Sequence, residues 1–273
     1  MLLDLKAMGR FRYVLYGSNI LVGLFLLLPI VFIILLSFGS SPWLAFPPPD
    51  WTLRWYEKLF SEPSWFEAIV NSFKIGIAVT IMSVLLGVPA SFAVVRGRFP
   101  GRDALAALFT TPLIVPLIII GIGLYGASLR YGLSGTFTAF AFSHLVLALP
   151  FSVICTTNAL RSFDENIEKA AIVCGATRAQ ALWRVTLPAI MPGIGAGALF
   201  SFLISWDEVV LAIFMSSPSL QTLPVKMWSA LRLDLSPVIA AAAALMVALT
   251  IVLLLAAAMI QWFRRPPATS ADQ

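Results

Sequence analysis

Six stretches of this chain carry no Asp, Glu, Lys or Arg: 13–49, 75–95, 104–129, 131–160, 185–206 and 235–263. Even the shortest, 75–95, makes about 31 Å of helix at ~1.5 Å per residue, enough to cross a hydrocarbon core of about 30 Å. In lipid the backbone must satisfy its own hydrogen bonds, which leaves helices or a closed barrel. A barrel needs segments that alternate apolar and polar residues, and runs such as Leu21 to Leu36 do not alternate. Hydrophobic residues make up 60% of the chain and charged residues 11%, against about 25% charged in soluble domains. That excludes a soluble fold, which cannot hide so much apolar surface. It also excludes disorder, which needs low hydrophobicity and high charge.

The expected fold is therefore an all-α polytopic membrane protein. Six transmembrane helices are expected at about 14–38, 69–95, 105–129, 136–160, 189–215 and 236–262. The first is read as a retained span: its apolar stretch is too long for a secretory signal, and no small-x-small site follows it. Lys and Arg set the orientation. With the N-terminus inside, twelve fall on the cytoplasmic side and six outside, the six being Arg54, Lys58, Lys74, Arg130, Lys226 and Arg232. Cytoplasmic loops carry the excess, so both termini are expected to be cytoplasmic. The net charge of +5 is read as this topology signal rather than as a nucleic-acid footprint. The outer loop 39–68 holds Pro47-Pro48-Pro49 and Trp43, Trp51, Trp55 and Trp65, a composition that suits an interfacial segment. Cys155 and Cys174 form no paired motif, so neither a disulfide framework nor a zinc site is expected.

The cytoplasmic connection 161–188 is longer and more organised than the others. Ser162-Phe163-Asp164-Glu165 has the form of a capping box. Ile167, Ala170, Ala171 and Cys174 then recur on one helical stripe. Gly175 stands where a left-handed C-cap would sit, and Thr177 to Gln180 opens a second helix running to Leu187-Pro188. No lysine is followed by Ser or Thr, so a phosphate-binding P-loop is absent. Any energy that the chain uses would have to come from another polypeptide or from an ion gradient.

Ionisable residues within the spans are few. Lys74 lies near a helix end and can snorkel. His144 is read as hydrogen-bonded to a neighbouring helix rather than as a proton relay. Asp207-Glu208 follows Ser205-Trp206 and interrupts an apolar segment. An acid at the centre of an inserted helix costs about 2.5–3.5 kcal/mol. Such a pair therefore sits in an interface, along a water-filled pathway or at the hydrated outer boundary.

Glu168-Lys169-Ala170-Ala171-Ile172-Val173-Cys174-Gly175, followed by Val185-Thr186-Leu187-Pro188, resembles the signature loop of permease subunits of binding-protein-dependent ABC importers. The family pattern is Glu-Ala-Ala, three residues, Gly, nine residues, then Ile-x-Leu-Pro. Lys169 stands where the family has Glu, with Glu168 adjacent. The resemblance covers about 65–262 and implies the type I importer transmembrane-domain fold. It divides the chain into 1–64 (tail, first helix, outer loop), the core 65–262 with its coupling loop 161–188, and a cytoplasmic tail 263–273. It also implies that the loop docks on a separate ATPase subunit through Glu168, Lys169, Ala170, Ala171, Gly175, Leu187 and Pro188.

A second resemblance is finer. Ser201 to Val210, then Thr222-Leu223-Pro224-Val225-Lys226-Met227, is similar to the spermidine/putrescine-type subgroup. It implies a pathway in which Asp207, Glu208 and Trp206 meet an organic dication, by ion pairing and cation–π contact. The subgroup also includes permeases for amino-acid-like and phosphonate solutes. The implied assembly holds a second homologous permease subunit, an ATPase dimer and a periplasmic solute-binding protein, in the lipid of a bacterial inner membrane. No cofactor, metal or nucleic acid is expected on this chain; ATP and Mg would belong to the ATPase, and the chain itself would not be an enzyme. Two rival classes stay open: a secondary transporter, and an integral-membrane enzyme.

Overall fold

A computed structural model describes residues 11–233 and 236–263. The tails, with Lys6, Arg10, Arg264 and Arg265, lie outside the described residues. Among the described residues, twelve α-helices follow in chain order: α1 Phe11–Ser37, α2 Arg54–Ser61, α3 Pro63–Arg96, α4 Arg102–Thr110, α5 Leu117–Arg130, α6 Phe137–Ser162, α7 Glu165–Val173, α8 Arg178–Ala181, α9 Leu187–Asp207, α10 Val210–Met215, α11 Leu223–Leu233 and α12 Val238–Phe263. Among the described residues, five helices are long and apolar enough to span a membrane: Arg12–Ser37, Pro63–Arg96, Phe137–Ser162, Arg178–Asp207 and Val238–Ile260. A bent pair, Arg102–Leu113 with Leu117–Arg130, supplies a sixth if it counts as one span.

That pair corrects the straight helix expected over 105–129. The two halves meet at 101°. Pro112 lies in a single 3₁₀ turn, and Pro116 caps α5 in extended geometry. Each proline removes one backbone donor. The gap between charges shows length but is blind to this.

The fifth span is corrected at both ends. α8 does not stop at Pro188; it runs through a π-helical turn, Leu182–Thr186, straight into α9. Pro188 cannot donate to the preceding turn, and the N–H of Leu187 reaches back to the Leu182 carbonyl instead. A π turn is one way a helix absorbs such a misfit. The loop proper therefore ends near Thr177, short of Pro188. At the other end α9 stops at Asp207, and Glu208 is extended (φ −73°, ψ 117°). The acids close one helix and open the next; they do not interrupt a continuous one.

The chain divides into two compact units. The smaller covers residues up to Glu62 together with Ala230–Leu249. In it, the indole of Trp55 donates to the Gly39 carbonyl at 2.7 Å, Arg54 donates to the Ser40 carbonyl, and the hydroxyls of Ser37 and Tyr56 bond at 2.7 Å. These bonds bring α2 back onto the end of α1, with Trp55 and Leu59 buried.

The larger unit is built on α3, α6 and α9, which pack against one another. Lipid offers no hydrophobic drive between apolar helices, so close backbone approach and polar bonds hold them. Both are present. A Cβ on Gly87 of α3 would lie 2.5 Å from the Ser152 hydroxyl of α6. On α9, a Cβ at Gly193 would lie 2.3 Å from Ala159 Cβ, and one at Gly197 3.0 Å from Ser152 Cα. Ser91 donates to the Val153 carbonyl at 3.1 Å, and Ser201 to the Ala148 carbonyl at 3.2 Å. Ile75, Val79, Phe140, Ala148, Ala212 and Met215 form the apolar centre.

Gly193→Val and Gly197→Val should each lower the melting temperature of the detergent-solubilised protein, an overpacked contact costing about 1–3 kcal/mol. Gly123→Ala meets open space and should leave it unchanged. Equal melting curves for all three would refute this packing.

Candidate functional site

The cytoplasmic loop forms by local rules. Asp164, rather than the expected Ser162, caps α7: its carboxylate accepts from the Asn166 N–H at 2.9 Å. Ser162 is still the last residue of α6. Gly175 has φ +97°, with Gly175 N–H bonding the Ile172 carbonyl and Ala176 N–H that of Ala171. This is the left-handed stop expected of glycine. Thr177 and Gln180 make the reciprocal capping box that opens α8.

No residue of α7 is buried. Ile167, Lys169, Ala170, Ile172, Val173, Cys174 and Gly175 are exposed, and Ala171 is half-buried. Glu168 is half-buried and turned inward. Its Oε2 accepts from Arg96 Nη1 at 2.7 Å and from the Thr186 hydroxyl at 2.5 Å. One carboxylate thus ties α7 to the end of α3 and to the π turn before α9. Burial pushes this carboxyl up, but the Thr186 bond and the bond and charge of Arg96 outweigh it, and its pKa falls below the ordinary value. Leu187 and Pro188 lie at the start of α9. They belong to the rod behind the loop, not to its surface.

At the far end of α9, Trp206 is 1% exposed. Its ring centroid lies 4.9 Å from Phe73 and 5.9 Å from Phe202, stacked on the latter. Asp207 is exposed, and its carboxylate has no hydrogen-bond or ion-pair partner among the described residues. Glu208 differs: its Oε1 accepts from the Leu211 N–H at 2.8 Å, capping α10, which packs on α5 and α6. A carboxylate at a helix N-terminus meets the positive end of the backbone dipoles. The two acids are therefore separated by role, one exposed and one structural.

Bonds between helices complete the frame. The fully buried His144 bonds Ser205 through Nδ1 at 3.0 Å, joining α6 to the turn of α9 that carries Trp206 and Asp207. This agrees with the inter-helix bond expected of it. Ser72 accepts from Leu223 N–H at 2.8 Å, and Asn71 donates to the Gln221 carbonyl at 3.2 Å. The Thr222-Leu223-Pro224 motif is thus anchored to α3. Lys226 sits 5.6 Å over the Trp65 ring.

The family model for "Binding-protein-dependent transport system inner membrane component" matches residues 83–265. The putrescine transport system permease protein PotI of Escherichia coli K12 is 32% identical over 225 residues, covering 80% of this chain and 79% of that protein. The spermidine/putrescine permease protein PotC of the same strain is 30% identical over 221 residues, with 80% and 82% covered. The sulfoquinovosyl glycerol permease protein SmoH of Agrobacterium fabrum is 29% identical over 220 residues, with 78% and 76% covered. Among solved structures, a bacterial ABC transporter involved in alginate import superposes with a TM-score of 0.68 at 17% identity, covering 94% of this chain and 97% of that one. The MetNI methionine ABC transporter gives 0.59 at 20% identity, covering 73% and 97%. These two likenesses establish the fold.

Glu168→Ala should remove two charge-assisted bonds, worth about 1.5–3 kcal/mol each, and leave Arg96 unpaired. Backbone amides of 165–177 should then exchange faster with deuterium while those of α6 keep their protection. Because the folded pKa is lowered, the tie is fully present above the unfolded value and is lost as pH falls through the folded one. The protection factors of this loop, exchange rates corrected for the intrinsic pH dependence of amide exchange, should thus be constant at neutral pH and fall only at acid pH. Unchanged exchange in Glu168→Ala would refute the tie.

Proposed function

The chain belongs to the family of binding-protein-dependent transport system inner membrane components, and on that premise we propose that the solute it imports is a polyamine such as putrescine or spermidine. It is a multi-pass inner-membrane protein and the permease subunit of an ATP-driven importer. In this reading residues 65–262 are the transmembrane core. ATP is hydrolysed on a separate ATPase dimer, a second homologous permease completes the pathway, and a periplasmic binding protein delivers the solute.

The observation that carries the cationic reading is Asp207. An exposed carboxylate without a partner, at the end of a span, is a group a passing cation can pair with and leave again. Glu208 holds the turn that presents it, and Trp206 packs behind. The two polyamine relatives cover most of the chain and support the same choice. For coupling, the exposed face of α7 is the contact surface: Val173 is 87% exposed and Ile167 52%, beside Lys169, Ala170, Ala171 and Gly175. Glu168 passes movement of that face to α3 and α9. The Glu168 carboxylate is committed inside the chain and is not available to the ATPase.

Proteoliposomes holding the permease pair, ATPase and binding protein should take up radiolabelled putrescine only with ATP. Asp207→Asn should lower that uptake about tenfold, equivalent to ~1.4 kcal/mol, while the complex still co-elutes. ATP-driven uptake of a neutral glycoside or an amino acid without putrescine or spermidine uptake would overturn the substrate reading. Parental uptake in Asp207→Asn would remove this residue from the pathway.

Topology follows from the excess of Lys and Arg on the side of 97–101 and 163–177, with both termini on that side. In a background lacking Cys155 and Cys174, Ser61→Cys should react with an impermeant maleimide added outside cells. Thr177→Cys should react only after lysis. Reaction of Thr177→Cys in intact cells would invert the orientation.

A further inference from the structure

A cavity of about 340 Å³ is bounded by the end of α3, the loop after it, the start of α4 and one side of α7. Arg96, Arg98, Arg102 and Lys169 line it, and among the described residues Glu165 and Glu168 are the only acids on its wall. These charges are not mutually cancelled. Glu168 is committed to Arg96 Nη1, and Arg102 reaches only its neighbour Asp103, at 3.2 Å. Arg98 and Lys169 have no partner among the described residues. The Nε and Nη2 donors of Arg96 are buried and unpaired. α4 begins at Gly101, which has no side chain to cap its first N–H groups. Val95 and Ile172 supply an apolar edge to the same cavity.

The depth of the cavity is fixed by the helices. Arg96 is the last residue of a spanning helix, and Arg102 is the first of the bent one. The cavity thus opens where two spans leave the hydrocarbon, at the level of lipid phosphates. A basic pocket at that level, beside an apolar edge, matches an anionic headgroup with its glycerol and acyl root. We propose that Arg96, Arg98, Arg102 and Lys169 form a binding site for the phosphate group of an anionic phospholipid. A phosphate held between Arg98 and Lys169 braces α7 against the α3–α4 loop from the side opposite Thr186. On the topology argued above, the lipid belongs to the cytoplasmic leaflet. The site itself does not depend on the solute or on that orientation.

The test uses the assembled transporter in phosphatidylcholine nanodiscs containing a minor fraction of phosphatidylglycerol. Native mass spectrometry reads the lipid that is retained. The parental complex should retain phosphatidylglycerol over phosphatidylcholine. Arg98→Gln with Lys169→Gln should weaken that preference about 25-fold, each basic residue near the surface contributing about fivefold. Arg130→Gln, at the opposite end of α5, should leave it unchanged. If the double variant does not assemble, Lys169→Gln alone should weaken it about fivefold and Arg98→Lys should preserve it. Displacement by millimolar inorganic phosphate would assign the site to phosphate itself, with lipid as one source. Equal phosphatidylglycerol retention by the parental and charge-removed complexes, with or without phosphate, would overturn the proposal. Because the readout is lipid, failure here leaves the transport reading intact, and failure of putrescine uptake leaves this one intact.

Discussion

Close approach of three backbones holds the larger unit together. In lipid, apolar side chains gain nothing by leaving one apolar environment for another, so helices associate through contact and polar bonds. Gly87, Gly193 and Gly197 let α3, α6 and α9 meet without side chains between them. The bonds from Ser91 and Ser201 to α6 carbonyls, and the His144–Ser205 pair, then fix rotation and depth. Both candidate sites hang from the ends of this trio. Asp207 closes α9 at one end, and the Glu168 junction joins α3 to the π turn at the other.

The irregular points are where the chain departs from spanning helices, and each is satisfied locally. The π turn accommodates Pro188, Glu208 supplies the acceptor that α10 needs, and Pro112 and Pro116 bend α4 and α5 apart. A freed backbone group at membrane depth is costly unless another group meets it. This accounts for Glu208: its carboxylate serves the fold, and the acid beside it stays exposed. The same economy operates in the loop. Glu168 bridges two elements with one oxygen, so α7 is held from behind while its apolar face stays bare.

Much of the architecture was legible from charge spacing and local motifs. The spans announce themselves because a membrane tolerates few charges. The stop at Gly175 and the box at Thr177–Gln180 are legible because they depend only on neighbours within a few residues. The α7 stripe follows from period alone. Ser162 misled because Asp164, two residues on, competes for the same cap, and pattern gives no rule for choosing between them. The straight reading of 105–129 failed because a charge-free stretch shows length alone and does not register the backbone donors missing at Pro112 and Pro116.

The sequence by itself determined the class, the number of apolar segments and the helix–glycine–helix plan of the loop. These follow from transfer free energy and short-range backbone geometry, which need no distant partner. Only the tertiary structure decided what Glu168, Asp207 and Glu208 do. Adjacent in sequence, the two acids at the end of α9 are distinguishable only once the helix breaks after Asp207 and the Leu211 N–H of α10 meets Glu208. Glu168 acquires its role from Arg96 and Thr186, 72 and 18 residues away. A carboxylate's function is set by whichever donors the fold brings within about 3 Å of it, and that distance is not written in one dimension.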